Sequence, residues 1–237
     1  MTRAKRGEGR RTGEPRLKVR VKGTKRRSQS SRRWIERQLN DPYVAAARRS
    51  GYRSRAAYKL MQMDDRFQLF KPGMRVVDLG AAPGGWSQVA AQKVRAAEGR
   101  GQVVAVDVLD MEPIAGVEAL RLDFLEAHGA PEIKVLLRDG GADLVLSDMA
   151  APATGHARTD HLRIMALAEA AAEFACEVLA PGGAFLCKVL QGGTERTLLE
   201  RLKRAFDNVR HVKPPASRKE SAELYVLATG FKGGPRE

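Results

Sequence analysis

A short strand-like run, Arg75-Val-Val-Asp78-Leu, passes straight into Gly80-Ala-Ala-Pro83-Gly84-Gly85, and a helical pattern starts at Trp86. An apolar run that stops at glycines reads as a buried strand, and a helix directly behind the turn carries the chain over to a parallel neighbour. The remainder keeps the same alternation. Strand-like runs at 102–107, 119–123, 142–148, 184–189, 209–213 and 222–229 are separated by helical patterns at 86–97, 130–139, 161–179 and 195–206. Seven strands alternating with helices predict an α/β fold, a mostly parallel sheet covered on both faces. Three short helices, 31–39, 43–49 and 54–67, precede it, with Ser54 read as the N-cap of the third.

Charge divides the chain more sharply than hydropathy does. Residues 1–33 hold 14 Lys or Arg and two acids, whereas the other 204 residues of the 237 carry 28 basic and 26 acidic side chains. The first stretch has almost no large apolar residues, so it cannot bury enough surface to offset its chain entropy. It is expected to be a disordered basic arm, residues 1–33, attached to one domain, 34–237. Such an arm suits a polyphosphate partner, because each neutralised phosphate releases counterions. A second basic cluster, Arg48, Arg49, Arg53, Arg55 and Lys59, includes Tyr52 and Tyr58, whose rings suit unpaired bases. Both observations point to nucleic acid.

Several classes are excluded. No run approaches the ~18 uncharged apolar residues of a membrane span. The basic N-terminus has no apolar segment behind it, unlike a secretory signal. Two cysteines, Cys176 and Cys187, make no disulfide scaffold. His128, His156, His161 and His211 lack metal-ligand spacing, so no metal is expected. A reduced, cytoplasmic monomer is the expectation.

Ligands of open α/β sheets bind beyond the carboxyl ends of the strands. Asp107, 22 residues beyond Gly85, Asp123 and Asp148 each follow such a strand. An acid about 20 residues past a glycine turn hydrogen-bonds ribose hydroxyls, so a cofactor containing a nucleoside is implied. The turn lacks the Gly-x-Gly-x-x-Gly dinucleotide pattern and carries Pro83 inside it, and no phosphate-cradling Gly-x-x-x-x-Gly-Lys loop is present. A cofactor without phosphates fits better, and S-adenosylmethionine is one.

Asp78-Leu-Gly-Ala-Ala-Pro-Gly-Gly-Trp86-Ser-Gln resembles the first motif of the FtsJ/RlmE family of S-adenosylmethionine-dependent RNA ribose 2′-O-methyltransferases. Arg53-Ser-Arg-Ala-Ala-Tyr-Lys59-Leu, Ser147-Asp148-Met-Ala, Lys188-Val-Leu-Gln-Gly192 and Glu223-Leu-Tyr-Val-Leu-Ala-Thr-Gly230 resemble its other motifs, in order. Within the family the likeness is to the bacterial 23S ribosomal RNA uridine 2′-O-methyltransferases. The resemblance implies a Rossmann-like class I methyltransferase fold with an antiparallel last strand. It implies a catalytic tetrad of Lys59, Asp148, Lys188 and Glu223, and cofactor contacts at Gly84, Trp86, Asp107, Asp123 and Asp148. It implies 23S ribosomal RNA or the large ribosomal subunit as partner. The family often reads Asp-Met-Ala-Pro-Asn where this chain has Asp148-Met-Ala-Ala151-Pro152, so no role passes to Ala151 or Pro152.

Methyl transfer to a 2′-hydroxyl needs that oxygen's proton to leave. A lysine accepts a proton near neutral pH only when desolvation or a neighbouring cation lowers its pKa from ~10.4. Lys188 is the candidate base, with Lys59 the neighbouring cation, Asp148 holding one lysine and Glu223 the other. A second form has Lys188 steer the hydroxyl's lone pair while water takes the proton. Cys176 and Cys187 read as core, which disfavours a cytosine-C5 enzyme. Transfer-RNA ribose methylation, a non-catalytic ribosome-assembly factor and a nicotinamide dehydrogenase stay open as alternatives, the last opposed by Pro83. Deleting residues 1–30 is expected to weaken RNA binding and to flatten its dependence on salt. A titration in increasing salt checks this, and an unchanged slope would reduce the arm to a solubilising tail.

Overall fold

The computed structural model describes residues 29–126, 129–137, 141–152, 154–192 and 196–233. Most of the basic arm, residues 1–28, and His128 therefore lie outside the described residues. The chain divides into two units, Met1–Ala45 and Ala46–Glu237. In the first, α1 spans Gln29–Leu39, starting two residues earlier than the sequence suggests; α2 (Pro42–Arg49) begins behind Asp41 and runs across the boundary between the units. Asp41 accepts the amide of Tyr43 at 3.0 Å, and Pro42 occupies the first helical position, where its missing N–H costs nothing.

The larger unit is built on a seven-stranded sheet. Its strands are β1 (Arg75–Leu79), β2 (Gln102–Asp107), β3 (Val117–Arg121), β4 (Ala142–Ser147), β5 (Leu179–Leu190), β6 (Phe206–Val212) and β7 (Glu223–Phe231). Their order is β3-β2-β1-β4-β5-β7-β6. The β1, β2, β3, β4 and β5 pairings are parallel, and β7 runs antiparallel to both β5 and β6. The fold is thus a Rossmann-like, mostly parallel sheet with one reversed strand.

Residue parity decides which helices cover which face. Val76, Val103, Leu144, Leu146, Leu186, Tyr225 and Leu227 form one core with α3 (Ala56–Phe67) and α4 (Gly85–Val94). Their odd-and-even counterparts, Val77, Val104, Val145, Phe185, Cys187 and Val226, form the other with α6 (Ala157–Val178) and α7 (Arg196–Ala205). A shorter helix, α5 (Gly129–Leu136), adds Ile133 to that second face. Cys187 is buried there, and burial pushes its thiol up to about 12, as a core cysteine requires.

Three local readings change. Ser54 does not cap α3: Arg55 holds the N-cap position without a side-chain bond, and the Ser54 hydroxyl instead packs against Gly85. The reason is tertiary, since a residue larger than glycine at position 85 would collide with it. The Pro181-Gly-Gly segment, which falls between the expected helix 161–179 and the expected strand 184–189, lies inside β5 rather than before it. Pairing with β4 jumps from Ala142↔Leu179 to Leu144↔Ala184, so these residues form a bulge, with Gly182 at φ +82°. The α4 helix stops at Val94, where Arg95 turns left-handed, and a 3-10 turn, Ala96–Glu98, completes the connection.

Candidate active site

Because β7 is reversed, its first residue lies at the sheet edge where β4 and β5 end. Register places Tyr225 opposite Lys188 and Glu223 opposite Leu190. Opposite residues, and residues two apart on one strand, share a face. Lys188, Tyr225 and Glu223 therefore share the face covered by α3, and α3 supplies Lys59.

The four tetrad residues meet in one network. Lys59 Nζ lies 2.6 Å from Glu223 Oε1 and donates to the Tyr225 hydroxyl at 3.1 Å. Lys188 Nζ donates to the Asp148 carbonyl at 2.6 Å and lies 3.2 Å from Asp148 Oδ1. The Tyr225 hydroxyl joins the two pairs, 3.0 Å from Asp148 Oδ1 and 3.3 Å from Glu223 Oε1. The side chains keep 11% and 20% exposure for Lys59 and Glu223 and 10% and 19% for Lys188 and Asp148, so the network is shielded yet open at one side.

Ser217 also donates to Glu223 Oε1, at 3.0 Å. Its loop between β6 and β7 is tied to α3: the Ala216 amide donates to Gln62 Oε1 at 2.7 Å, and the Arg55 guanidinium donates to the Ala216 carbonyl. Burial alone would raise the Glu223 carboxyl, but the Lys59 charge and hydrogen bond outweigh it. Lys188 and Ser217 add to that, and the carboxyl is held below the ordinary range. Burial, then the charges of Asp148 and Glu223, push the Tyr225 hydroxyl well above its usual value. It is a neutral donor at physiological pH.

Tyr225 and Ser217 are the members that motif reasoning misses. Tyr225 was within reach of it, since strand alternation puts it on the same face as Glu223. Nothing local marks Ser217.

Beside the network, a pocket of about 380 Å³ opens at the carboxyl ends of β2 and β4. Asp107 and Asp123 line it with Gly80, Phe124, Met149 and, from α6, Arg163. Ala151 and Pro152, to which the sequence assigns no role, line it as well. Asp107 accepts the amides of Ala82 and Leu109, each at 2.9 Å, and Asp123 that of Leu125 at 3.0 Å. Both acids are thereby fixed in direction. A Cβ on Gly80 would meet the Met149 backbone at 2.7 Å, so the turn and the loop after β4 touch.

Gly84 and Trp86 do not line this pocket. Gly84 takes φ +107° at the start of α4. The Trp86 side chain is core: its indole donates to the Ala56 carbonyl at 2.8 Å and its ring packs on Tyr225, 5.6 Å between centroids. Among the described residues no group of His, Cys, Asp and Glu clusters as metal ligands would.

Beneath the turn, Asp78 is fully buried. One oxygen accepts the Ser87 hydroxyl at 2.6 Å and the other has no protein partner. Burial raises its carboxyl to about 7 against the Ser87 bond, with Asp148 and Asp107 adding repulsion.

An acid after β2 and a glycine turn after β1, at the edge of a seven-stranded sheet with one reversed strand, match a methyltransferase of the Rossmann-like class. The comparisons narrow this. The model of the FtsJ-like methyltransferases matches residues 52–231, and the chain belongs to that family. It is 62% identical over 217 residues to the ribosomal RNA large subunit methyltransferase E of Azorhizobium caulinodans, covering 92% of this chain and 90% of the relative. It is 64% identical over 221 residues to the protein of that name from Xanthobacter autotrophicus, covering 93% and 86%. A Plasmodium falciparum structure described as a ribosomal RNA methyltransferase superposes with a TM-score of 0.69 at 29% identity. That match covers 77% of this chain and all of the other.

Asp78 yields a prediction about stability. The native carboxyl holds its proton to about pH 7, whereas the ordinary value is 3.8. Between these the folded chain binds more protons than the unfolded one, so this group's contribution to stability falls as pH rises. The urea midpoint of the natural chain minus that of Asp78→Asn is expected to decline between about pH 5 and about pH 7.5. A difference independent of pH would place the carboxyl at its ordinary value.

Proposed function

We propose that the protein transfers a methyl group from S-adenosylmethionine to the 2′-hydroxyl of a uridine ribose in 23S ribosomal RNA, acting in the cytoplasm on the large ribosomal subunit. The observation that carries the reading is the closed lysine–carboxylate network beside a pocket whose acids suit a nucleoside. The names and high identities of the bacterial relatives support the ribosomal substrate.

The pocket fits this cofactor. Asp107 would take the ribose hydroxyls and Asp123 the adenine, with Gly80 of the glycine turn lining the same pocket. When bound, S-adenosylmethionine supplies an electrophilic methyl on a sulfonium. The chain's own task is to aim the nucleophile. Lys188 spends one N–H donor on the Asp148 carbonyl, stands 3.2 Å from the Asp148 carboxylate, and keeps a donor for the 2′-oxygen. A donor there engages one lone pair of the oxygen and leaves the other aimed at the methyl; the O–C bond would form as the sulfonium S–C bond breaks, with S-adenosylhomocysteine the leaving group and the hydroxyl proton passing to water. That arrangement favours the steering role over the role of base. Lys59, fixed by Glu223 and Tyr225, offers its remaining donor to the same hydroxyl or its flanking phosphate. Positioning and directed hydrogen bonds of this kind are worth orders of magnitude in rate.

The test offers labelled S-adenosylmethionine with unmodified large subunits, naked 23S RNA and transfer RNA, and identifies the labelled nucleoside. The expected product is 2′-O-methyluridine, mainly from large subunits. Label in transfer RNA alone would overturn the substrate, and label on a base would overturn the reaction. Lys188→Ala is expected to lower turnover by at least ~10²-fold while cofactor affinity stays within a few-fold. Retained turnover would remove Lys188 from the machinery.

A further inference from the structure

Arg53 belongs by sequence to the basic cluster read as facing nucleic acid. Its guanidinium is instead engaged by backbone. Nη1 donates to the Pro83 carbonyl at 3.2 Å and to the Glu112 carbonyl at 2.5 Å, and Nη2 donates to the Pro113 carbonyl at 2.8 Å. One planar cation thus joins the glycine turn after β1 to the segment that follows Asp107 after β2.

Three further observations make this a built device. The base of the side chain is anchored: the Arg53 amide donates to Gln88 Oε1 at 2.9 Å, and Gln88 Nε2 donates to the Gly51 carbonyl at 3.1 Å. The segment it holds is otherwise exposed, with Glu112 and Pro113 open to solvent. Its other described ties are a local turn bond, the Val117 amide to the Ile114 carbonyl at 3.0 Å, and the Arg121–Asp110 ion pair, whose side chains are 65% and 78% exposed and so contribute little. Finally, the segment turns Met111 and Ile114 onto the glycine turn. A Cβ at Gly84 would come within 2.8 Å of Ile114 Cδ1, 2.9 Å of Met111 Sδ and 3.0 Å of Arg53 Nη1.

We infer that Arg53 is a positioning residue for the cofactor cleft: it clamps the 110–114 segment to the glycine turn and so fixes Gly84 relative to Asp107. The inference rests on the cofactor reading above. It separates two uses of a cation. A phosphate ligand needs charge, which lysine keeps. A clamp on three carbonyls needs the guanidinium fork, which a single ammonium cannot span.

The experiment titrates S-adenosylhomocysteine into the full chain and its variants by calorimetry, and measures RNA affinity across a salt series. Arg53→Lys is expected to weaken S-adenosylhomocysteine binding by roughly tenfold, the loss of about one charged hydrogen bond. RNA affinity and its salt slope should stay within about twofold of the natural chain. A double variant, Met111→Ala with Ile114→Ala, leaves Arg53 intact and is expected to weaken the same binding without touching the salt slope. Lysine restoring full affinity for S-adenosylhomocysteine, or a salt slope lowered by about one phosphate in Arg53→Ala with cofactor affinity intact, would overturn the clamp and return Arg53 to the RNA surface. If the natural chain itself binds no S-adenosylhomocysteine, the cofactor reading fails first.

Discussion

Two lysines and two carboxylates are taken largely out of water at one edge of the sheet, and a buried charge is tolerated only when paired and hydrogen-bonded. Much of the site's local architecture serves that requirement. Reversal of β7 brings Glu223 to the edge where Asp148 and Lys188 already lie. Packing of α3 on the same face brings Lys59. Tyr225, opposite Lys188, supplies the hydroxyl that makes two ion pairs into one network. Removing one member would leave a partner buried without compensation, which is why the group should behave as a unit.

The neighbouring cleft is organised by backbone rather than by charge pairs. Asp107 and Asp123 accept main-chain amides, so each acid is aimed before any ligand arrives. Gly80 lets the turn after β1 touch the loop after β4, and Gly84 lets the segment after β2 come down on the turn. Preorganisation of this kind lowers the ordering cost of binding. The β6–β7 loop does the same for the tetrad, carrying Ser217 to Glu223 while Arg55 and Gln62 hold it to α3.

The sequence made the sheet legible because buried parallel strands leave apolar runs and glycine turns leave a composition signature. The meeting of Lys59, Asp148, Lys188 and Glu223 was legible through ordered motifs, and the shared pocket edge of Asp107 and Asp123 through their place after strands. Other features had no local signal. Arg53 reads as one more surface cation until its carbonyl partners, 59 and 60 residues away, are in view. Ser54 has the composition of an N-cap, yet the close approach of Gly85 claims its hydroxyl. Trp86 carries a motif position whose side chain turned out to serve the core. In each case long-range packing overrode a sound local rule.

The account's central claim is that the charged groups act together. A double-mutant cycle on Lys59 and Glu223 tests it most directly, using single-turnover methylation of unmodified large subunits by Lys59→Ala, Glu223→Ala and the double variant. Residues that act as a unit are strongly non-additive. The double variant should be no slower than the slower single variant, to within about threefold. Losses that multiply would show two independent residues and contradict the network.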